Sequence, residues 1–169
     1  FLAMMPALKF LSQIAPKLPL NELTFFYFTG GLSAFLDNAP TYVTFFEMAR
    51  TSSSEPLLEL ERGMGTIPEL YLVSISLGAV FMGAMTYIGN GPNFMTKAVA
   101  DSRGVAMPSF GGYLGWSGRY LLPVMVAMSF IFIAPQLWLK GIGIVLAAGL
   151  LGRIVLILRQ PAPAPEDID

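Results

Sequence analysis

The chain has 169 residues, of which 54% are hydrophobic and 12% are charged, and its formal net charge is -1. Soluble domains carry roughly 25% charged residues, so this composition, with a mean hydropathy of +0.63, predicts a membrane protein. The sequence contains neither Cys nor His, which excludes disulfides, thiolate or imidazole metal sites and Ser-His-Asp triads. The balanced charge offers no basic surface for nucleic acid. We therefore expect no enzyme, no cofactor and no nucleic-acid partner.

The two ends of the chain differ in character. Residues 1–22 start at Phe1 and contain three prolines, which favours an interfacial segment or the end of an earlier helix. We expect the chain to be the C-terminal piece of a longer protein whose N-terminal half precedes Phe1. Residues 159–169 are Pro-rich and acidic, a composition typical of a disordered, solvated tail.

The first interrupted apolar region covers residues 23–49. Its two apolar stretches are shorter than the roughly 20 residues that a crossing helix needs, and they flank a polar tip at 37–41. Within the tip, Pro40 suits the first turn of a helix and Asn38 suits its N-cap. The region predicts a re-entrant helical hairpin, and a polar loop follows over residues 50–65. The alternative is a turn in water, in which Asp37 has no function and Asn38 is a plain cap.

The second interrupted region, residues 66–100, is predicted as a transmembrane helix broken at 89–93. Two glycines and a proline at the break cannot sustain a helical ladder. Unwinding frees backbone carbonyls, and Asn90 and Asn93 add side-chain oxygens. A small hard cation such as sodium prefers such oxygen ligands. The alternative is an ordinary turn without a ligand.

Three further segments complete the chain. Residues 101–118 are Gly-rich and predict a loop, while residues 119–135 and 137–158 predict two transmembrane helices. Small residues in the last of these helices permit close approach of another helix. Lys97 and Asp101 stand four residues apart, so we expect them simply to pair on a helix surface.

Both interruptions place polar groups where lipid makes them costly unless they line a protein cavity. We therefore expect the two to form the halves of one binding site. The predicted ion- or substrate-binding residues are Asp37, Asn38, Thr41, Gly89, Asn90, Gly91 and Asn93, and the structural breaks are Pro40 and Pro92. A sodium ion would be held by Asp37, Asn38, Asn90 and Asn93. The carboxylate of Asp37 would also suit a proton.

These interruptions resemble those of the ion transporter superfamily, most closely its citrate transporter, sodium:proton antiporter-like members. The resemblance rests on the strings GLSAFLDNAPTY at 31–42, TYIGNGPNFM at 86–95 and MPSFGGYLGWS at 107–117. It implies an all-α polytopic membrane protein, the C-terminal half of an inverted-repeat transporter, with a re-entrant hairpin and an unwound helix meeting at a midplane site. Related dicarboxylate symporters have a Ser-Asn-Thr turn at the hairpin tip, whereas Asp37 stands here in place of the serine.

Three functions remain open from the sequence. The preferred one is a secondary active transporter that exchanges sodium and protons at Asp37. The second is cation-coupled transport of citrate or another carboxylate, and the third is a non-transporting membrane scaffold in which both turns are packing features. The expected location is the cytoplasmic (inner) membrane of a prokaryote. Expected partners are the lipid bilayer, the other half of the transporter, a small ion or carboxylate, and a second copy in a homodimer.

Overall fold

The structure, a computed structural model, describes residues 20–52, 58–59 and 66–159. Most of the predicted segment 1–22, of the polar loop 50–65 and of the tail 159–169 therefore lies outside the described residues. The regular secondary structure of the described part is helical apart from one short pair of strands. Strands β1 (Leu58–Glu59) and β2 (Thr66–Ile67) pair antiparallel, with Leu58 opposite Ile67.

The first two helices form a hairpin. Helix α1 (Glu22–Ser33) starts at a capping box in which the side chain of Asn21 accepts a hydrogen bond from the backbone N–H of Thr24 at 2.9 Å. In return, the hydroxyl of Thr24 accepts one from the backbone N–H of Asn21 at 2.7 Å. These reciprocal bonds satisfy amides that have no partner inside the helix. Residues 34–37, which we call the hairpin turn, lead into helix α2 (Asn38–Ser52).

The next apolar segment ends its helix earlier than expected from the sequence. Helix α3 (Glu69–Phe81) passes into a 3-10 turn (Met82–Met85), and a bent, irregular stretch follows before helix α4 (Gly91–Ser102). We call residues 82–90 the break. The expected break at 89–93 thus overlaps only the end of this segment, because Pro92 lies in the first turn of α4. A proline there loses no hydrogen bond and favours a helix start.

The last two helices are long. Helix α5 (Phe110–Met128) continues through a π-helical turn (Ser129–Ile133), and helix α6 (Leu137–Leu158) follows. The stretch Phe110–Ile133 has 24 residues and α6 has 22, and both are apolar enough to span a membrane. Almost all of α6 is exposed, and its one buried residue is Gly143, where an added Cβ would lie 2.9 Å from side-chain atoms of the preceding π turn.

Helix α5 starts inside the segment that the sequence predicted as a Gly-rich loop, residues 101–118. Ser109 supplies the reason, since its hydroxyl oxygen accepts a hydrogen bond from the backbone N–H of Gly112 at 3.2 Å and so caps the helix. Only residues 103–109 separate α4 from α5. The C-terminal end of α5 with its π turn is set by Pro135. The residue before a proline is biased toward extended backbone, and Ala134 accordingly has a ψ of 128°.

Glycines allow α1 and α3 to pack closely. A Cβ added at Gly78 would lie 2.5 Å from the carbonyl oxygen of Phe26, and one added at Gly30 would lie 2.2 Å from the sulfur of Met82. Small residues at such crossings let helix backbones approach each other. The two interrupted regions, residues 23–49 and 66–100, therefore pack closely against each other at this crossing.

Two buried apolar clusters surround the crossing. One cluster joins α1, α2, β2 and α3, and consists of Phe25, Met48, Ala49, Ile67 and Ile75. The other consists of Phe26, Ala34, Met82, Met85, Met125 and Ile133. Because the second cluster contains residues of the hairpin turn and of the break, apolar burial holds these two segments together against α5.

Candidate functional site

The hairpin turn and the break contact each other directly. Thr86 donates its hydroxyl to the carbonyl oxygen of Ala34, and the same hydroxyl accepts a hydrogen bond from the backbone N–H of Gly89 at 3.0 Å. A Cβ added at Gly89 would lie 2.6 Å from the carbonyl oxygen of Ala34, so this position accepts only glycine without a shift. We call the contact region, residues 33–38 with 79–90, the junction.

The side-chain amide of Asn38 lies at the centre of the junction. In the orientation that gives both amide atoms complementary partners, its nitrogen donates to Ser33 Oγ at 2.7 Å, to the carbonyl of Ala79 at 2.9 Å and to the carbonyl of Gly89 at 3.2 Å. Amide orientation is assigned from such partners. Asn38 is the first residue of α2 rather than the residue before it. Its nitrogen therefore ties the hairpin to α3 and to the break, which goes beyond the role of a plain cap.

Asp37 and Thr41 take no part in these contacts. Asp37 is exposed, and its carboxylate forms no hydrogen bond or ion pair with the described part of the chain. The backbone carbonyl of Asp37 instead accepts a hydrogen bond from the hydroxyl of Thr41 at 3.0 Å. Thr41 is buried, with 1% of its surface exposed, so its hydroxyl is used inside the first turn of α2.

Three residues predicted for the site lie at the start of α4, and each has a different environment. The side-chain nitrogen of Asn93 donates to the carbonyls of Ala84 and Thr86, both at 3.2 Å. The side-chain oxygen of Asn90 is buried and has no hydrogen-bond partner within the described residues. Gly91 is exposed, and a Cβ there would meet nothing within 4 Å. Asn93 thus supports the break, while Asn90 keeps an uncommitted oxygen.

Two polar residues of the junction were not among the predicted site residues. Ser33 and Thr86 are both fully buried, and Ser33 donates its hydroxyl to the carbonyl of Ala79 at 2.6 Å. A buried hydroxyl normally requires a partner. Both residues stand inside the strings that carry the family resemblance, which is the signal that could have identified them.

The chemistry available at the junction is that of neutral oxygen ligands. Hydroxyl, amide and backbone carbonyl groups converge there, and the described residues contain no group of three or more acidic side chains that could hold a metal ion. Neutral and weakly charged oxygens suit hard cations rather than transition metals. The junction can thus offer oxygen ligands to an alkali cation, and the buried side-chain oxygen of Asn90 has no hydrogen-bond partner there among the described residues.

Comparison with known proteins identifies the family. No curated protein and no solved structure matches the chain at a significant level. Residues 1–133 match the model of a family described as "Putative citrate transport". This range includes the hairpin, the break and α5 with its π turn, and it confirms the resemblance seen in the sequence. The chain belongs to this citrate transport family.

Proposed function

We propose that the chain forms the cation-binding part of a transporter that couples a cation to citrate or a related carboxylate. Membership in the citrate transport family supports a carboxylate substrate and non-covalent transport rather than catalysis. The observation that carries the cation site is the buried side-chain oxygen of Asn90, in the junction, which has no partner among the described residues. An unsatisfied buried acceptor costs about 1–3 kcal/mol, and a bound cation would remove that cost.

The hydrogen bonds of the junction support coupling between the two interruptions. Gly89, the neighbour of Asn90, holds the amide of Asn38 through its carbonyl and the hydroxyl of Thr86 through its N–H. A cation that draws the Asn90 oxygen and nearby carbonyls together would change these bonds. Asn38 belongs to the hairpin, and Thr86 donates a hydrogen bond to the hairpin turn. Cation binding at the break would therefore alter the position of the hairpin and hence the carboxylate site.

Helix lengths support a re-entrant arrangement of the hairpin. Helix α1 has 12 residues and therefore extends over about 18 Å, which is less than the roughly 30 Å of the hydrocarbon core. The junction would then lie at membrane depth, where irregular backbone is tolerated only inside protein or against a cavity. In this proposal the other half of an inverted-repeat transporter completes the site in a prokaryotic inner membrane, and a homodimer is the proposed assembly.

Sodium/proton exchange at Asp37 is the second candidate function. Its support is the exposed carboxylate of Asp37, which has no partner in the described residues and stands directly before α2. Such a group can take up and release a proton without breaking a structural contact. An ionised Asp37 would also repel a substrate carboxylate unless a cation lay between them. Exchange of sodium and protons at Asp37 would require no citrate, which distinguishes this candidate from the first.

The test is transport by the purified full-length protein in proteoliposomes, under imposed sodium and proton gradients, with and without citrate. The first candidate predicts citrate uptake that rises with an inward cation gradient and needs Asn90. The second predicts sodium movement against protons without citrate, abolished by Asp37→Asn. If no condition gives flux, both proposals are contradicted and the membrane scaffold is the remaining function.

A further inference from the structure

Tyr113, a residue of α5 that was not predicted for the site, donates a hydrogen bond to the break. The carbonyl oxygen of Ala84, in the 3-10 turn, accepts one hydrogen bond from the side-chain nitrogen of Asn93 and another from the hydroxyl of Tyr113, both at 3.2 Å. A carbonyl oxygen has two lone pairs, so both are occupied here. Tyr113 belongs to the first turn of α5. The break, α4 and α5 therefore meet at one backbone oxygen.

A second tyrosine fixes the position of the Tyr113 ring. The rings of Tyr87 and Tyr113 lie with their centroids 4.1 Å apart and their planes tilted by 31°. Tyr87 is buried, with 3% of its surface exposed, and donates its hydroxyl to the carbonyl of Pro108 at 3.1 Å. The contact between the two rings limits the positions that the Tyr113 ring can take. Tyr87 directly follows Thr86, so the ring pair lies beside the bond that joins the break to the hairpin.

We propose that Tyr113 is a positioning residue for the cation site, acting through the carbonyl of Ala84. The inference rests on the proposed function, because it assigns Tyr113 a role in the affinity and selectivity of that site. Ligand geometry must be held to about 0.5 Å for a selective site. The Tyr113 hydroxyl supplies part of this precision by fixing the 3-10 turn. It also occupies a lone pair of the Ala84 carbonyl, which keeps that oxygen from coordinating the cation in place of the intended ligands.

Tyr120, farther along the same helix, provides the matched control. Tyr113→Phe removes the hydroxyl that binds the break, while Tyr120→Phe removes a hydroxyl from an exposed ring that stacks on Trp116 of α5. In citrate uptake measured against sodium concentration, we expect Tyr113→Phe to raise the apparent KM for sodium roughly three- to tenfold, the effect of one hydrogen bond, with little change in kcat. We expect the preference for sodium over lithium to fall only in Tyr113→Phe. Unchanged sodium dependence of Tyr113→Phe, or equal changes in both variants, would overturn the proposal.

Hydrogen exchange of the backbone tests the same role without relying on transport. In the ligand-free full-length protein, we expect the amides of residues 82–90 to exchange faster in Tyr113→Phe than in Tyr120→Phe or wild type. Exchange in Tyr113→Phe at the wild-type rate would contradict the positioning role, whatever the transport data show. A wild type that transports nothing would contradict the proposed function, while faster exchange in Tyr113→Phe alone would still support the hold of Tyr113 on the break.

Discussion

The hydroxyl of Thr86 donates a hydrogen bond to the carbonyl oxygen of Ala34, and both residues are buried. The bond joins the break to the hairpin turn, although all of α2 and α3 lies between the two residues in the sequence. Hydrogen bonds between buried groups are costly to leave unmade. The hairpin turn and the break therefore move together or must break this bond.

Replacing Thr86 by Val should destabilise the protein. The change keeps the branched shape but leaves the carbonyl of Ala34 without a donor and the N–H of Gly89 without an acceptor. We expect a loss of about 2–3 kcal/mol, seen as a lower melting temperature in detergent. Thr96→Val is the control, because the hydroxyl of Thr96 bonds only its own exposed helix, at the carbonyl of Pro92. Equal losses in both variants would contradict the role of the junction.

Asn38→Asp tests whether the amide acts as a donor. The nitrogen of Asn38 donates to oxygen acceptors, whereas a carboxylate can only accept and would be repelled by them. We expect a loss of about 2 kcal/mol or more in the free energy of unfolding. In Asn21→Asp, the matched control, the replaced side chain accepts a hydrogen bond, so an aspartate should cap α1 equally well. The expectation fails if chemical denaturation finds Asn38→Asp as stable as Asn21→Asp.

Gly78→Ala should force α1 and α3 apart. The new Cβ would lie 2.5 Å from the backbone oxygen of Phe26, and no side chain can move away to relieve this contact. Overpacking of this kind costs about 1–3 kcal/mol. At Gly31, on the same helix pair, a Cβ meets nothing within 4 Å, so Gly31→Ala should be neutral or stabilising by about 0.5–1 kcal/mol. Thermal unfolding of the two variants gives the comparison, and matching melting temperatures would argue against close packing at the crossing.

Asn90→Ala and Asn93→Ala should separate cation binding from support of the break. The side-chain oxygen of Asn90 has no partner in the described residues, so its removal should cost little stability but weaken the response of citrate uptake to sodium about tenfold. Asn93 donates to two carbonyls of the break. We therefore expect Asn93→Ala to reduce the free energy of unfolding by about 1–3 kcal/mol, seen as a lower melting temperature. A normal sodium response in Asn90→Ala would remove that residue from the site.

Composition and residue order alone determined the class of protein and the two regions in which its helices are interrupted, although α3 ends at Phe81, before the expected break at 89–93. Scarce charge and long apolar runs allow few alternatives to a membrane environment, and glycine and proline interrupt helices for steric reasons that act locally. The strings at residues 31–42 and 86–95, which contain these interruptions, also carried the resemblance to the family that the match over residues 1–133 shows. The helix starts were harder to predict, because Pro92 lies in the first turn of α4 and Ser109 caps α5, and either residue could also have ended a helix.

The tertiary structure decided which polar groups meet. The sequence places Asp37 and Asn38 side by side, yet in the fold Asn38 ties the hairpin to α3 and the break, while the carboxylate of Asp37 remains exposed. The contribution of Tyr113 to the break was equally hidden, because a hydrogen bond between α5 and Ala84 depends on how the helices cross. Side-chain direction and helix crossing come from packing, here through Gly30 and Gly78. Contacts between distant segments therefore follow from the packed fold rather than from any local pattern.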